Sequence, residues 1–128
     1  MIFIDSSVAL SQLLFEARAP AIEFWRQKLA SSRLLEYEIW NRLHAYELGG
    51  ANDQAARQLL MGIELFEMER QVLARALEPW PTPLRTLNAL HLATADYLRQ
   101  QGEPIEFASY DNQLIAATRA IGIPVAAL

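Results

Sequence analysis

The chain has 128 residues, 52% hydrophobic and 20% charged, with no cysteine and a formal net charge of −4. That mixture can bury a core, and it excludes a disordered chain, a disulfide framework, a cysteine nucleophile and a thiolate metal site. Two histidines cannot build a zinc centre of several imidazoles, and an acidic chain lacks the broad basic surface of a general nucleic-acid binder.

In chain order, Met1–Ile4 is a short apolar run that stops at Asp5 and reads as a buried strand. Ser6 and Ser7, followed by Val8, Ala9, Leu10, Leu13 and Leu14, predict a capped helix. Pro20 opens a second short helix carrying Ile22, Phe24, Trp25 and Leu29. Arg33–Leu35 is brief and fits a strand end. The spacing of Ile39, Trp40, Leu43, Ala45 and Tyr46 predicts a helix over Glu36–Leu48, closed by Gly49-Gly50. Asn52 or Asp53 is placed to cap the next helix, with Ala56, Leu59 and Leu60 on its apolar face.

Beyond Gly62, the residues Ile63, Leu65, Phe66 and Met68 suit a short strand, and Glu69–Glu78 a short helix. Pro79, Pro81 and Pro83 forbid helix and make a stiff loop that is a candidate for substrate choice. Thr86–Gln101 has the strongest helical pattern and ends at Gly102. Ile105–Ala108 fits a strand, Asn112–Ala120 a helix, and Pro124–Ala127 a terminal edge strand. Apolar runs alternating with helices predict one α/β domain over residues 1–128 with a mostly parallel sheet. No basic start followed by an apolar run opens the chain, and no apolar stretch of about 18 residues or more occurs. The expectation is a cytoplasmic protein without a membrane segment.

Chemistry in such sheets sits beyond the carboxyl ends of the strands, where Asp5 and Asp111 fall. Each acid has a plain structural reading. Asp5 and Asp111 can cap helices, and Glu36 and Glu38 can complement a helix dipole. Their arrangement together carries more information. Ile2-Phe3-Ile4-Asp5-Ser6-Ser7, Ser32-Arg33-Leu34-Leu35-Glu36-Tyr37-Glu38, Leu84-Arg85-Thr86-Leu87-Asn88-Ala89-Leu90-His91-Leu92-Ala93-Thr94-Ala95 and Phe107-Ala108-Ser109-Tyr110-Asp111-Asn112-Gln113-Leu114 follow one another along the chain. In that order they resemble the four motifs of PIN-domain ribonucleases, most closely the VapC-type toxins of toxin–antitoxin pairs.

The resemblance implies a three-layer sandwich around a sheet of four to five strands. It implies that Asp5, Glu38 and Asp111 gather at one sheet end with Asn88 and hold Mg²⁺ or Mn²⁺ for RNA phosphodiester hydrolysis. Hard divalent cations take oxygen ligands, and a bound ion can activate water beside a phosphate. Glu38 rather than Glu36 matches the motif register. Ser7 and Ser109 are candidates to donate to a ligating carboxylate or to touch substrate. A homodimer and a VapB-like antitoxin are implied as well.

Asn88 stands where the family motif carries aspartate. Asn offers a neutral carbonyl oxygen, without charge or basicity. A weakened or inactive enzyme, a site for which three carboxylates suffice, and an engineered substitution all remain open. Asp96, about 12 Å further along the same helix, reads as solvated and too distant to replace position 88. His91 reads as a packed helix residue before a catalytic one, and Arg85 as a partner for an acid. Trp25, Trp40, Tyr46 and Phe15 read as core or as the lining of a partner groove. The alternative function is a PIN-fold binding module without nuclease activity. A receiver-like signalling domain would need a lysine near the acids, and Lys28 is the only lysine and lies elsewhere.

Overall fold

The computed structural model describes residues 1–46 and 50–128. The described elements, in order, are strand β1 (Ile2–Ile4), helix α1 (Ser6–Leu13), a 3₁₀ turn (Ile22–Arg26), strand β2 (Leu29–Ser32) and helices α2 (Leu34–Ala45) and α3 (Ala51–Met61). Strand β3 (Ile63–Phe66), helices α4 (Arg70–Leu77) and α5 (Thr86–Gln100), strand β4 (Glu106–Ala108) and helix α6 (Asn112–Ala120) follow.

The four strands form one parallel sheet in the order β3-β2-β1-β4. Its strands are short and buried on both faces, which is why they read as plain apolar runs without alternation. On one face α1, α2 and α3 pack Val8, Leu10, Leu13, Leu35, Ile39, Leu43 and Ala56 against Ile2, Ile4 and Leu29. On the other, α5 and α6 pack Leu92, Ala95, Leu98, Leu114 and Ala117 around Phe3, Ala30 and Phe107. Helices therefore cover both faces of the sheet, as the three-layer expectation required. Chain order reverses direction between β1 and β4. In a parallel sheet this is the point where two crossovers diverge and leave a crevice beyond the strand ends.

Several sequence expectations shift. The second strand is Leu29–Ser32 rather than Arg33–Leu35, and Leu34 and Leu35 already belong to α2. Leu29 accordingly lies in the sheet and not in the preceding short helix, which is a 3₁₀ turn. Leu48 and Gly49, expected to end α2, lie outside the described residues. Helix α3 starts at Ala51 behind Gly50, whose φ of 60° suits glycine, so Asn52 and Asp53 lie within the helix and do not cap it. The terminal edge strand reduces to a single bridge between Phe107 and Val125. No helix among the described residues is long and apolar enough to cross a membrane.

Asp96 corrects the sequence reading most. It is 3% exposed, not solvated. Its Oδ1 accepts from Arg99 Nη2 at 2.5 Å, and its Oδ2 from Arg75 Nε at 3.4 Å. Arg75 also lies 3.7 Å over the Trp80 ring, so α4, α5 and the proline loop share one anchor. Losing one partner of a buried pair costs about 3–5 kcal/mol. Both arginines here reach solvent, which lowers the expectation for Asp96→Ala to about 2 kcal/mol. Urea unfolding should show this as a lower midpoint at an unchanged slope.

Candidate functional site

The β1 and β4 ends bring two segments together by register alone. Ile4 pairs with Ala108, so Asp5 and Ser109 emerge side by side at the carboxyl edge. Asp5 occupies the N-cap position of α1 yet makes no capping hydrogen bond. Its Oδ1 accepts from the Ser7 hydroxyl at 2.6 Å and its Oδ2 from the Ser109 hydroxyl at 2.8 Å. Each serine oxygen in turn accepts a backbone N–H, Ser7 from Tyr110 and Ser109 from Asp111, both at 2.9 Å. Two hydroxyls thus fasten the β4–α6 turn to one carboxylate. Asp5 is 2% exposed. Burial pushes its carboxyl above the usual range, opposed by the hydrogen bonds from Ser7 and Ser109.

Asp111 does cap a helix. Its Oδ1 accepts from the N–H groups of Gln113 and Leu114 at 2.9 and 3.1 Å. The cap reading and the site reading coexist, because Oδ2 is left for the Asn88 side chain, which donates through Nδ2 at 3.1 Å. Asn88 lies in the first turn of α5. Asp5, Asn88 and Asp111 line one cleft of about 320 Å³ together with Ser6, Ser7 and Tyr110. Arg18 and Arg42 line it too, and sequence reading singled out neither. No residue of the 79–83 loop does.

Glu38 lies one turn into α2 and does not line this cleft. Its Oε2 accepts from the Ser6 hydroxyl at 3.0 Å, and its Oε1 faces His91 Nε2 at 2.5 Å. A carboxylate accepts only, so Nε2 carries the proton, and in the neutral ring Nδ1 accepts from the Ser32 hydroxyl at 2.9 Å. His91 is fully buried, and its ring meets Phe3 edge-on. Ser32, His91, Glu38 and Ser6 therefore form a continuous chain across β2, α5, α2 and α1. Glu36 points elsewhere and pairs with Arg33 at 3.7 Å. Among the described residues, no three Asp, Glu or His side chains stand together as a preformed metal cluster.

A second, larger groove of about 610 Å³ shares no lining residue with this cleft. Leu13, Phe15, Trp25, Leu29 and Leu59 line it; Phe15 lies there exposed, while Trp25 and Trp40 both pack partly buried against the core. The groove is apolar and holds no candidate for hydrolytic chemistry, so its size does not make it the reaction site.

No family model matches the chain. Ribonuclease VapC46 of Mycobacterium tuberculosis strain ATCC 25618 / H37Rv is 30% identical to it over 130 residues, spanning 98% of this chain and 96% of that protein. The chain belongs to the VapC ribonuclease family. Ribonuclease VapC47 of strain CDC 1551 / Oshkosh is 28% identical over 133 residues, with 98% and 96% of the two chains covered. A toxin–antitoxin complex from Klebsiella pneumoniae shares the fold with a TM-score of 0.70 at 19% identity, over 98% of this chain and 97% of that one. The sarcin–ricin loop cleaving toxin VapC20 of M. tuberculosis does so with a TM-score of 0.62 at 16% identity, over 91% and 95%. The VapC membership covers the whole length on which the four motifs were read.

Proposed function

We propose that this VapC-family chain is an endoribonuclease that hydrolyses RNA phosphodiester bonds with a divalent cation, Mg²⁺ or Mn²⁺. The observation that carries this reading is the pairing of Asp5 and Asp111 in one cleft at the sheet's reversal point, bridged by Ser7 and Ser109. The donor set fits such an ion in kind. Asp5, Glu38 and Asp111 offer carboxylate oxygens and Asn88 a carbonyl oxygen, the hard ligands these cations take. Asp5, Asp111 and Asn88 would hold it in the cleft, with Glu38 reached through Ser6. When bound, it supplies an activated water and positive charge beside the phosphate.

The chain's own residues do the positioning. Ser7 and Ser109 hold both oxygens of Asp5, and the α6 amides hold one oxygen of Asp111. His91 fixes Glu38 from beneath while Ser32 fixes His91. Asn88 contributes no charge and no base, so we place this chain at the weak end of its chemistry. The same acidity suits a VapB-like antitoxin that extends a basic side chain into the cleft. The apolar groove lined by Leu13, Phe15 and Trp25 offers that partner an apolar anchor. A homodimer belongs to the same proposal.

Incubation with a mixed single-stranded RNA pool tests it. Cleavage should require Mg²⁺ or Mn²⁺, stop with chelator and fall by at least about 100-fold in Asp111→Ala, since even residues that merely orient metal ligands are worth 10–100-fold. Cleavage that persists in chelator would overturn the metal dependence, equal cleavage by Asp111→Ala would remove Asp111 from the working site, and no cleavage by the parent chain would leave the binding-module alternative in its place.

A further inference from the structure

An acidic chain that cuts RNA must hold a polyanion against its own field. The net charge is −4, and Glu16 lines the cleft beside Asp5 and Asp111. Only two cationic side chains line it among the described residues, Arg18 and Arg42. We propose that these two arginines form a two-sided clamp for RNA phosphates flanking the bond to be cut; this rests on the ribonuclease reading above.

Their setting separates them from ordinary surface arginines. Neither makes an ion pair among the described residues, although Glu16 lines the same cleft. Both lie over tyrosine rings instead. The Arg18 guanidinium is 4.9 Å from the Tyr110 ring centroid, and that of Arg42 is 5.7 Å from Tyr46. Among the described residues neither guanidinium makes a side-chain hydrogen bond or an ion pair, so its N–H donors remain available to grip a phosphate bidentately. The ring contact also removes part of the rotamer freedom that binding would otherwise cost.

The two platforms are tied to the acids. Tyr110 precedes Asp111, and its backbone N–H donates to the Ser7 oxygen that also serves Asp5. Arg42 lies four residues beyond Glu38 on α2, and Tyr46 four beyond Arg42, so the three share one helix face. Arg18 comes from the segment between α1 and the 3₁₀ turn, and Arg42 from α2. Two cations thus reach the cleft that holds Asp5 and Asp111 from two different segments of the chain. Phosphates on either side of the reacting one meet arginine, while the reacting one meets the acids and their cation.

The probe is a fluorescein-labelled single-stranded RNA of about 12 nucleotides, within the span one compact domain can cover. Ca²⁺ replaces Mg²⁺ during anisotropy titrations so that the RNA stays whole. Arg18→Gln and Arg42→Gln should each weaken binding by about 10-fold, the loss of one charge-assisted contact. Each should also reduce the slope of log K against log salt by about 0.7, the value for one single-strand phosphate contact. In Mg²⁺, KM should rise with kcat changed by less than about twofold, the pattern of lost uniform binding. Arg18→Lys should keep the salt slope and recover part of the affinity. Arg119→Gln, exposed on α6 outside the cleft, should match the parent chain. Parent-like affinity and salt slope in both glutamine variants would overturn the clamp, as would a fall in kcat alone. If the parent binds and cuts RNA and the variants equal it, only the clamp fails. If the parent neither binds nor cuts, the ribonuclease reading fails with it.

Discussion

Replacing Asn88 by aspartate should raise both divalent-metal affinity and the RNA cleavage rate by about 10–100-fold, the range that one ligand-orienting group commands. Asn88 now donates to Asp111 Oδ2 at 3.1 Å. With a carboxylate at 88, that attraction becomes a contact between like charges. Such charges 4 Å apart repel by about 4 kcal/mol at an effective dielectric of 20. A cation between them reverses the sign, and the second carboxylate can also accept a proton from the attacking water. Without metal the side chains can swing apart, so the net cost should be about 1–2 kcal/mol and the thermal midpoint in chelator about 3–8 °C lower. Two measurements decide: RNA cleavage in saturating Mg²⁺ or Mn²⁺, and thermal unfolding in chelator. If the substituted chain cleaves no faster, position 88 lies outside the working site.

Asp5→Asn should have the opposite pair of effects. Burial raises the Asp5 carboxyl pKa in the folded chain above its ordinary value. The folded state therefore holds that proton more tightly than the unfolded state. Stability falls as pH rises from the ordinary carboxylate range through the raised value, and stays reduced above it. Asparagine carries no such charge, and its amide can still exchange hydrogen bonds with the Ser7 and Ser109 hydroxyls. Asp5→Asn should thus melt higher than the parent at pH 7 in chelator, with the difference vanishing below the ordinary carboxylate range. In Mg²⁺ it should lose at least about 100-fold in RNA cleavage. A variant that melts lower at pH 7 would show that Asp5 serves the fold before it serves chemistry.

Both predictions concern residues visible in the sequence, for a definable reason. Asp5 and Asp111 each follow an apolar strand directly, so a parallel sheet puts both at one edge whatever the details of packing. The helices over Thr86–Gln100 and Asn112–Ala120 were legible because their apolar spacing is strong and glycines follow them. Strand β2 was not. Leu-Ala-Ser-Ser has no β-branched residue, and its serines are buried through contacts that no local pattern announces, such as Ser31 Oγ donating to the Ile4 carbonyl at 2.6 Å. Arg99, three residues beyond Asp96 on the same helix, lies within reach of spacing, but the burial of Asp96 and its partner Arg75 are recognised only once α4 lies on α5. The link from Glu38 through His91 to Ser32 joins three segments of the chain, and Arg18 adds a fourth beside Arg42 of α2. Spacing encodes what lies within one element, and these groups meet only through tertiary packing.

The two serine hydroxyls at the heart of the site also make it observable from a distance. Each stands between a backbone N–H of the β4–α6 turn and an oxygen of Asp5, so the electron density around the Tyr110 and Asp111 amides is polarised by the charge on that carboxylate. The ¹H–¹⁵N resonances of those two amides are therefore built-in reporters. Their chemical shifts follow the ionisation of Asp5 during a pH titration and follow any cation or arginine drawn to it, with no label at the site itself.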